Sequence, residues 1–266
     1  MPAIRPYLRL IALVTALLGL AACTTPSNVS APAVTTVHMA GDSTMSIKDV
    51  KDYPETGWGV PFATFFDESI QVVNHAKNGR STRTFIEEGR WQVIMDALKP
   101  GDVVFIQFGH NDESVSKKDR YTTPEQYSNN LKRFINDVRA MQADPILLSP
   151  ITRRYFNEDG TIKHTHPYAD LSRKVAASEE VVFLDMEIIT REYFQKLGDK
   201  DSALRFMHIP ADTHPNYPNG VRDDTHLNNM GAREVAQLVL AELKKQQHPL
   251  VKRLRTADPK HLKLSY

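Results

Sequence analysis

The chain of 266 residues has little cysteine, little net charge and little long apolar sequence. Its single cysteine excludes an intramolecular disulfide framework. A formal net charge of +1 points to neither nucleic acid nor an anionic membrane surface as a partner. The apolar run LRLIALVTALLGLAAC, residues 8–23, is shorter than the ~20 apolar residues that a membrane-spanning helix needs. The whole chain has 41% hydrophobic and 24% charged residues, ordinary values for a globular protein.

The N-terminal residues have the features of an export signal. Arg5 and Arg9 precede or enter the apolar run, which closes in LAAC, Leu20 to Cys23. That ending resembles a bacterial lipobox and implies cleavage before Cys23, with lipid attached to this residue. Lipidation would also remove the liability of a free thiol in an exported protein. The alternative is an ordinary secretory signal cut nearby, which would release a soluble secreted or periplasmic protein.

These features predict three segments. Residues 1–22 are interpreted as a lipoprotein signal peptide, residues 23–34 as the lipidated cysteine and a flexible tether, and residues 35–266 as one folded domain. The tether is small, polar and proline-containing. We expect an exported lipoprotein, anchored to the outer membrane or facing the periplasm, that touches the membrane through its N-terminal lipid only.

Short apolar runs alternate with longer helix-like segments after residue 35. Several runs are apolar at consecutive positions, which is typical of strands buried on both faces of a parallel sheet. Apolar stripes after Thr123-Pro124 and after Asn228 predict two long helices that cover such a sheet. The expected fold is α/β, a three-layer α/β/α sandwich around a five-stranded parallel sheet. The predicted strands are TTVHMAG (35–41), IQVVNHA (70–76), DVVFIQFG (102–109), PILLSP (145–150) and VVFLDM (181–186).

Polar turns follow the first three predicted strands. Ser43 follows the first strand, Gly79 the second and Asn111 the third. In parallel sheets, ligands bind at the edge formed by the carboxyl ends of the strands, so these turns share the edge where a site is expected. The Ser43 and Gly79 amides and the Asn111 side chain can then supply hydrogen-bond donors to an oxyanion.

A serine after a strand is usually a helix cap, so Ser43 needs partners before it is a candidate nucleophile. His226 in DDTHLN is the informative histidine, because Asp223 lies three residues before it. On an irregular turn that spacing lets the carboxylate meet one ring nitrogen while the other points away. Asp224 is an alternative partner for the ring, and either aspartate is also an alternative cap for the last helix.

Taken together, these segments resemble the SGNH (GDSL-type) hydrolases. GDST (41–44), KNGRS (77–81), GHND (109–112) and DDTH (223–226) carry the four marks of that family in order. The resemblance implies a flavodoxin-like fold and ester hydrolysis through an acyl-enzyme, with no cofactor and no metal. It implies that Ser43 is the nucleophile, His226 the general base and acid, and Asp223 the group that orients the histidine. Ser43, Gly79 and Asn111 would form the oxyanion hole.

Longer blocks resemble the rhamnogalacturonan acetylesterase branch of these hydrolases. This implies removal of acetyl groups from an acetylated pectic polysaccharide or oligosaccharide. Arg80 is a candidate contact for galacturonate carboxylates and Trp58 a candidate face for a sugar ring. The blocks are YPETGWG (53–59), VVNHAKNGRSTRTFIEEGRW (72–91), FIQFGHNDES (105–114) and PNYPNGVRDDTHLN (215–228).

Other functions stay open at this point. An acetyl esterase for xylan or another glycan would use the same triad. A GDSL lipase or thioesterase would need an apolar acyl channel, and no long apolar insertion is present to build one. A surface lipoprotein that only binds glycans would not need the retained serine, asparagine and histidine. A metal site is a further alternative, although its histidines lack a recognisable ligand spacing with a carboxylate: His164, His166, His208 and His214.

The lipoprotein interpretation predicts a modified N-terminus. Mass spectrometry of protein extracted from membranes should show a chain that begins at Cys23 and carries lipid on it. An unmodified Cys23 on a soluble mature chain would contradict the interpretation.

Overall fold

A computed structural model describes residues 34–255 of the chain. The predicted signal peptide, Cys23 with its tether up to residue 33, and the tail 256–266 lie outside the described residues. Within residues 34–255, no helix combines the length and the hydrophobicity needed to cross a bilayer.

Five parallel strands form the central sheet, as the sequence predicts. The strand order is β2-β1-β3-β4-β5, so the chain moves to one side of β1 for β2 and to the other side for β3. Gly41 at the end of β1 lies opposite Gln107 at the end of β3, and Met39 lies opposite Asn74 at the end of β2. The strands are β1 Thr35–Gly41, β2 Ile70–Asn74, β3 Val103–Gln107, β4 Asp144–Leu148 and β5 Val182–Leu184.

Helices cover both faces of the sheet. The described α-helices are α1 Gly59–Phe62, α2 Thr82–Glu87, α3 Arg90–Ala97, α4 Pro124–Ala140, α5 Pro167–Glu179, α6 Met186–Ala203 and α7 Asn229–Lys245. Short 3₁₀ turns occupy Val50–Asp52, Ala63–Phe65 and Pro249–Arg253. Met39 and Phe105 pack in one apolar cluster with α1, α6 and α7, while Ala40 and Val104 pack in the other with α2 to α5. The three-layer prediction is therefore confirmed.

The long helix α4 shows why its sequence pattern was informative. The Thr123 hydroxyl accepts a hydrogen bond from the Gln126 amide at 3.2 Å, and the Gln126 side chain accepts one from the Thr123 amide. In this capping box Thr123 is the N-cap, and the helix begins at Pro124, whose ring suits the first helical position. The apolar stripe is completely buried against the sheet: Tyr127, Leu131, Phe134, Ile135 and Val138.

A small antiparallel sheet beside the main one was not predicted. Its strands are β6 Phe206–Ile209 and β7 Val221–Leu227. The adjacent residues Phe206 and Met207 lie opposite Leu227 and Asp223, so residues 224–226 bulge out of the pairing. The irregular turn expected around His226 is therefore a bulge within a strand.

The proposal that Trp58 contacts substrate is wrong. The indole is completely buried, its Nε1 donates a hydrogen bond to Gln107 Oε1 at 2.8 Å, and its ring packs edge-on against Phe62 with 5.5 Å between centroids. A ring with no exposed surface offers no face to a sugar. Trp58 instead supports β3 from beneath the site.

The buried carboxyl group of Asp112 joins the turn after β3 to the start of α2. Its Oδ1 accepts hydrogen bonds from the Thr82 amide at 2.9 Å and from the Thr82 hydroxyl at 2.6 Å. Its Oδ2 has no hydrogen-bond partner among the described residues. Burial raises the pKa of Asp112 to about 7, against the opposing effect of the Thr82 hydrogen bonds.

This carboxyl group predicts a specific dependence of stability on pH. The folded protein keeps the Asp112 proton up to about pH 7, whereas the unfolded chain releases it near about pH 4. The contribution of Asp112 to the free energy of unfolding therefore falls as the pH rises through that interval. Asp112→Asn should remove this contribution, so urea unfolding at about pH 5 and about pH 8 should show a smaller loss of stability than in the wild type. Asp96→Asn, at an exposed position of α3, is the control and should keep the wild-type slope. An unchanged slope in Asp112→Asn would contradict the assignment.

Candidate active site

Ser43 lies in a tight turn two residues beyond the end of β1. A Cβ atom on Gly41 would lie 2.9 Å from the Gln107 carbonyl oxygen, so only glycine lets the strand end this close to β3. The Asp42 carboxylate accepts hydrogen bonds from the Thr44 amide at 2.9 Å and the Thr44 hydroxyl at 2.8 Å, which fixes the turn. Residues 43–46 form turns and no helix, so the helix-cap interpretation of Ser43 is wrong.

The Asp42 carboxylate is fully buried and charged. Burial alone would raise its pKa, but His110, whose Nδ1 lies 3.3 Å from Asp42 Oδ2, and the Thr44 hydrogen bonds lower the pKa to about 2. The turn that carries Ser43 is thus held by an ionised group that stays ionised across the physiological range.

Ser43, His226 and Asp223 form a continuous hydrogen-bonded chain. His226 Nε2 lies 2.9 Å from Ser43 Oγ, and His226 Nδ1 lies 2.6 Å from Asp223 Oδ2. The other oxygen of Asp223 accepts hydrogen bonds from the Thr225 amide at 2.7 Å and the His226 amide at 3.0 Å. The bulge in β7 therefore folds back on the carboxylate and fixes the position of the ring.

The charge of Asp223 determines the tautomer of His226. Burial would raise the pKa of Asp223, but the hydrogen bond and charge of His226 and the two amide donors lower it to about 2. An ionised carboxylate only accepts hydrogen bonds, so His226 Nδ1 carries the hydrogen between them. In the neutral ring Nε2 is then unprotonated and accepts the hydrogen of the Ser43 hydroxyl.

Asp224, the alternative partner of the histidine, points elsewhere. Its Oδ1 accepts hydrogen bonds from Arg154 Nη1 at 2.6 Å and lies 2.7 Å from His208 Nε2. Neither aspartate caps α7. The cap is Asn228, whose side chain accepts a hydrogen bond from the Gly231 amide at 3.1 Å. Adjacent aspartates thus have separate roles, with Asp223 facing the histidine and Asp224 anchoring the bulge to the loop after β4.

Gly79 and Asn111 lie with Ser43 in one cleft. Gly79 has a φ of +76°, a left-handed conformation that favours glycine. Among the described residues, neither the Ser43 amide nor the Gly79 amide donates to another protein group. The Asn111 amide nitrogen donates to the Arg80 carbonyl at 3.0 Å, and its oxygen accepts from Arg120 Nη1 at 3.4 Å. The second N–H of this side chain is left for the cleft.

Lys48 is a component that the sequence did not reveal. Its ammonium donates to the Ser43 carbonyl at 2.5 Å and to Asn78 Oδ1 at 2.8 Å, and pairs with Glu55 at 2.7 Å. Burial lowers the pKa of Lys48, with the charge of Glu55 opposing that shift. The lysine joins the turn of Ser43 to the turn of Gly79 and so sets the spacing between the two free amides.

The cleft around these groups is open and polar, with a volume of about 660 Å³. Arg80 lines it and pairs with Glu88 at 2.9 Å, and Arg120 pairs with Asp119 at 3.2 Å. Contact between Arg80 and substrate stays a prediction. The full lining is Ser43, Asp52, Glu55, Asn78, Gly79, Arg80, Thr84, Glu88, Asn111, Lys117, Asp119, Arg120 and His226.

The histidines considered for a metal site are dispersed. His164 Nδ1 faces Glu187 at 2.8 Å and His166 Nδ1 faces Glu113 at 2.7 Å, so the two histidines meet different carboxylates. His208 meets Asp224, and His214 packs against the ring of Tyr53. Residues 34–255 contain no group of three or more His, Cys, Asp or Glu side chains that is arranged to hold a metal ion.

Known proteins that resemble this chain include named carbohydrate acetylesterases. The chain is 37% identical over 225 residues to the rhamnogalacturonan acetylesterase RhgT of Bacillus subtilis, covering 84% of this chain and 96% of that protein. The crystal structure of the Bacillus subtilis protein YXIM superposes with a TM-score of 0.70 and 26% identity, over 82% of this chain and 58% of that one. The acetylxylan esterase Axe2 of Geobacillus stearothermophilus shares the fold, with a TM-score of 0.56 and 18% identity over 79% of this chain and 94% of its own.

The model of the GDSL-like lipase/acylhydrolase family matches residues 39–233. That segment carries the β1 turn with Ser43, the Gly79 and Asn111 turns, and the bulge with Asp223 and His226. The chain therefore belongs to the GDSL-like lipase/acylhydrolase family and is a carboxylic ester hydrolase.

Proposed function

We propose that the protein removes acetyl groups from the pectic polysaccharide rhamnogalacturonan, through an acyl-enzyme formed on Ser43. The observation that carries the reaction is the hydrogen-bonded chain from Ser43 through His226 to Asp223, next to two amides without protein partners. The polymer is proposed because a relative that is 37% identical over most of this chain is named a rhamnogalacturonan acetylesterase.

In the first step, Ser43 Oγ attacks the acetyl carbonyl carbon while His226 Nε2 takes the hydroxyl proton. The carbonyl oxygen becomes an oxyanion that the Ser43 and Gly79 amides and the Asn111 side chain stabilise. The tetrahedral intermediate then collapses. The bond to the sugar oxygen breaks, and His226 returns the proton to that oxygen, so a free sugar hydroxyl leaves and an acetyl group stays on Ser43.

In the second step, water replaces the sugar. His226 Nε2 takes a proton from the water, whose oxygen attacks the acetyl carbon, and the same donors stabilise the second oxyanion. When this intermediate collapses, His226 returns the proton to Ser43 Oγ and acetate leaves. Asp223 stays ionised throughout and stabilises the imidazolium that forms in each step.

One cation of the cleft is placed to bind the carboxylate of an acidic polysaccharide, although the lining as a whole has four carboxylates and three cations. Two of its cations are already paired, Arg80 with Glu88 and Arg120 with Asp119. The Lys117 ammonium also lines the cleft and forms no ion pair with a carboxylate in residues 34–255. An uronate carboxylate can bind there as a new partner without breaking an existing pair.

The chemistry of the lining argues against a lipase or a long-chain thioesterase. Every residue that lines the cleft is polar, charged or glycine, so a long alkyl chain on the acyl carbon would meet no apolar wall. The retained chain of Ser43, His226 and Asp223 argues against a protein that only binds glycans. An acetyl esterase for xylan stays the second candidate, because it would use the same machinery.

The place of action is a further part of the proposal. Export and lipid attachment at Cys23 rest on the sequence of residues 1–34 alone. They suit an enzyme whose polymer substrate is met outside the cytoplasm.

Ser43→Ala is expected to abolish acetate release, because no other hydroxyl is placed on His226 Nε2. The loss in kcat should be at least about a thousandfold. Acetate release should be measured on acetylated rhamnogalacturonan, acetylated homogalacturonan, acetylxylan and a long-chain ester. Ser178→Ala, at an exposed position of α5, is the control and should retain full activity. Full activity in a folded Ser43→Ala protein would refute the mechanism, and a preference for xylan would refute the proposed polymer alone.

Lys48→Met is expected to lower kcat by about 10- to 100-fold with little change in KM, because the Ser43 and Gly79 turns lose the ammonium that spaces them. Lys77→Met, at an exposed position beside Asn78, is the matched control and should behave as the wild type. A change in KM with an unchanged kcat would show that Lys48 acts on substrate binding and not on the position of the oxyanion donors.

A further inference from the structure

A groove lined by exposed apolar side chains lies beside the active-site cleft. Val50 is 90% exposed, Ile47 63% and Tyr53 51%, and Val60 is also exposed. These side chains line one depression of about 330 Å³. Large apolar side chains that are exposed singly need no explanation, but exposed side chains that converge on one concave surface indicate a binding site.

The groove is continuous with the cleft. Glu55 lines both, and it forms an ion pair at 2.7 Å with Lys48, which lines the groove. A linear polymer that places one sugar in the cleft can therefore place a neighbouring sugar in the groove. The two surfaces differ sharply in chemistry, since the cleft is polar and charged while the groove is mostly apolar.

The apolar wall is held in place by the segment before β7. Asn216 Nδ2 donates to the Val50 carbonyl at 3.0 Å and to the Tyr53 carbonyl at 2.9 Å. The Tyr53 hydroxyl accepts a hydrogen bond from Asn229 Nδ2 at 3.1 Å, and its ring packs on His214 with 5.8 Å between centroids. An exposed aromatic ring that is fixed at both ends loses little entropy when a ligand packs against it.

We propose that this groove binds the methyl-bearing face of a 6-deoxyhexose, the sugar that follows an acidic sugar in the polymer. The inference rests on the proposed function, because rhamnogalacturonan alternates galacturonate with the 6-deoxyhexose rhamnose. Lys117 in the cleft can pair with the carboxylate-bearing unit, and the groove suits the methyl group and the apolar face of the next ring. Asn229, Glu55 and Thr56 supply polar groups for its hydroxyls.

An acyl chain is a poorer occupant for this groove. The acyl carbon must lie on Ser43 Oγ, so a chain that extended from it to the groove would first cross the cleft, which is lined only by polar, charged or glycine residues. Alkyl groups buried against such polar groups leave them without hydrogen-bond partners. A chain of sugars crosses the same cleft with hydroxyls that can hydrogen-bond to its lining.

The test compares polymers that differ in the deoxysugar. The Ile47→Ser/Val50→Ser double variant of the full chain should be assayed on acetylated rhamnogalacturonan and on acetylated homogalacturonan, which has galacturonate but no deoxyhexose. We expect the ratio of kcat/KM for the first polymer to that for the second to fall about tenfold, as for a lost methyl contact. Val93→Ser, also exposed but on α3, is the matched control and should keep the wild-type ratio. Tyr53→Ala should lower the ratio, and Tyr53→Phe, which keeps the ring, should retain most of it.

Other results would overturn the inference. An unchanged ratio in the double variant would do so, and so would an equal loss on both polymers, which marks a general defect. A loss confined to a long-chain nitrophenyl ester would assign the groove to acyl chains, and a change in oligomeric state by light scattering would assign it to a second copy of the chain.

If the wild type releases acetate from 4-nitrophenyl acetate but from neither pectic polymer, the proposed function fails and this inference fails with it. A wild type that prefers rhamnogalacturonan, with a double variant that keeps that preference, would overturn the inference alone.

Discussion

The parallel pairing of β1 with β2 and β3 is the constraint on which the site depends. Because the three strands run in the same direction and end at the same level, their turns bring Ser43, Gly79 and Asn111 to one edge. The order of the strands reverses at β1, because β2 lies on one side of it and β3 on the other. This reversal opens a crevice at the carboxyl ends of the strands. The carboxyl ends of β1 and β3 are buried, so the turns that carry Ser43 and Asn111 are positioned before a substrate arrives.

The sequence predicted the parts of the fold that have strong local signals. Several strands of the main sheet, β3 above all, are apolar on consecutive positions, and α4 has a capping box and a regular apolar stripe. The hairpin of β6 and β7 was missed because VRDDTHL has no apolar alternation and a bulge interrupts its pairing.

The site residues that have local sequence signals were predicted, and those defined only by contacts in the folded chain were missed. Glycine turns and the spacing between Asp223 and His226 are local, so they can be read from the chain. The function of Lys48 depends on Ser43, Asn78 and Glu55 meeting in space, and a lysine in sequence resembles any surface lysine. The prediction that Trp58 contacts a sugar was wrong because exposure depends on the tertiary structure. An aromatic residue beside a glycine turn can face either the solvent or the core.

The bond between Ser43 and His226 joins positions 183 residues apart. The serine lies in the turn after the first strand of the domain, and the histidine comes from the last hairpin. Until that hairpin docks, Ser43 lacks the base that the proposed mechanism requires. A chain still emerging from the ribosome is therefore inactive by the proposed mechanism, and esterase activity appears only when the whole domain has folded. Esterase activity in this fold therefore indicates that the domain has folded completely.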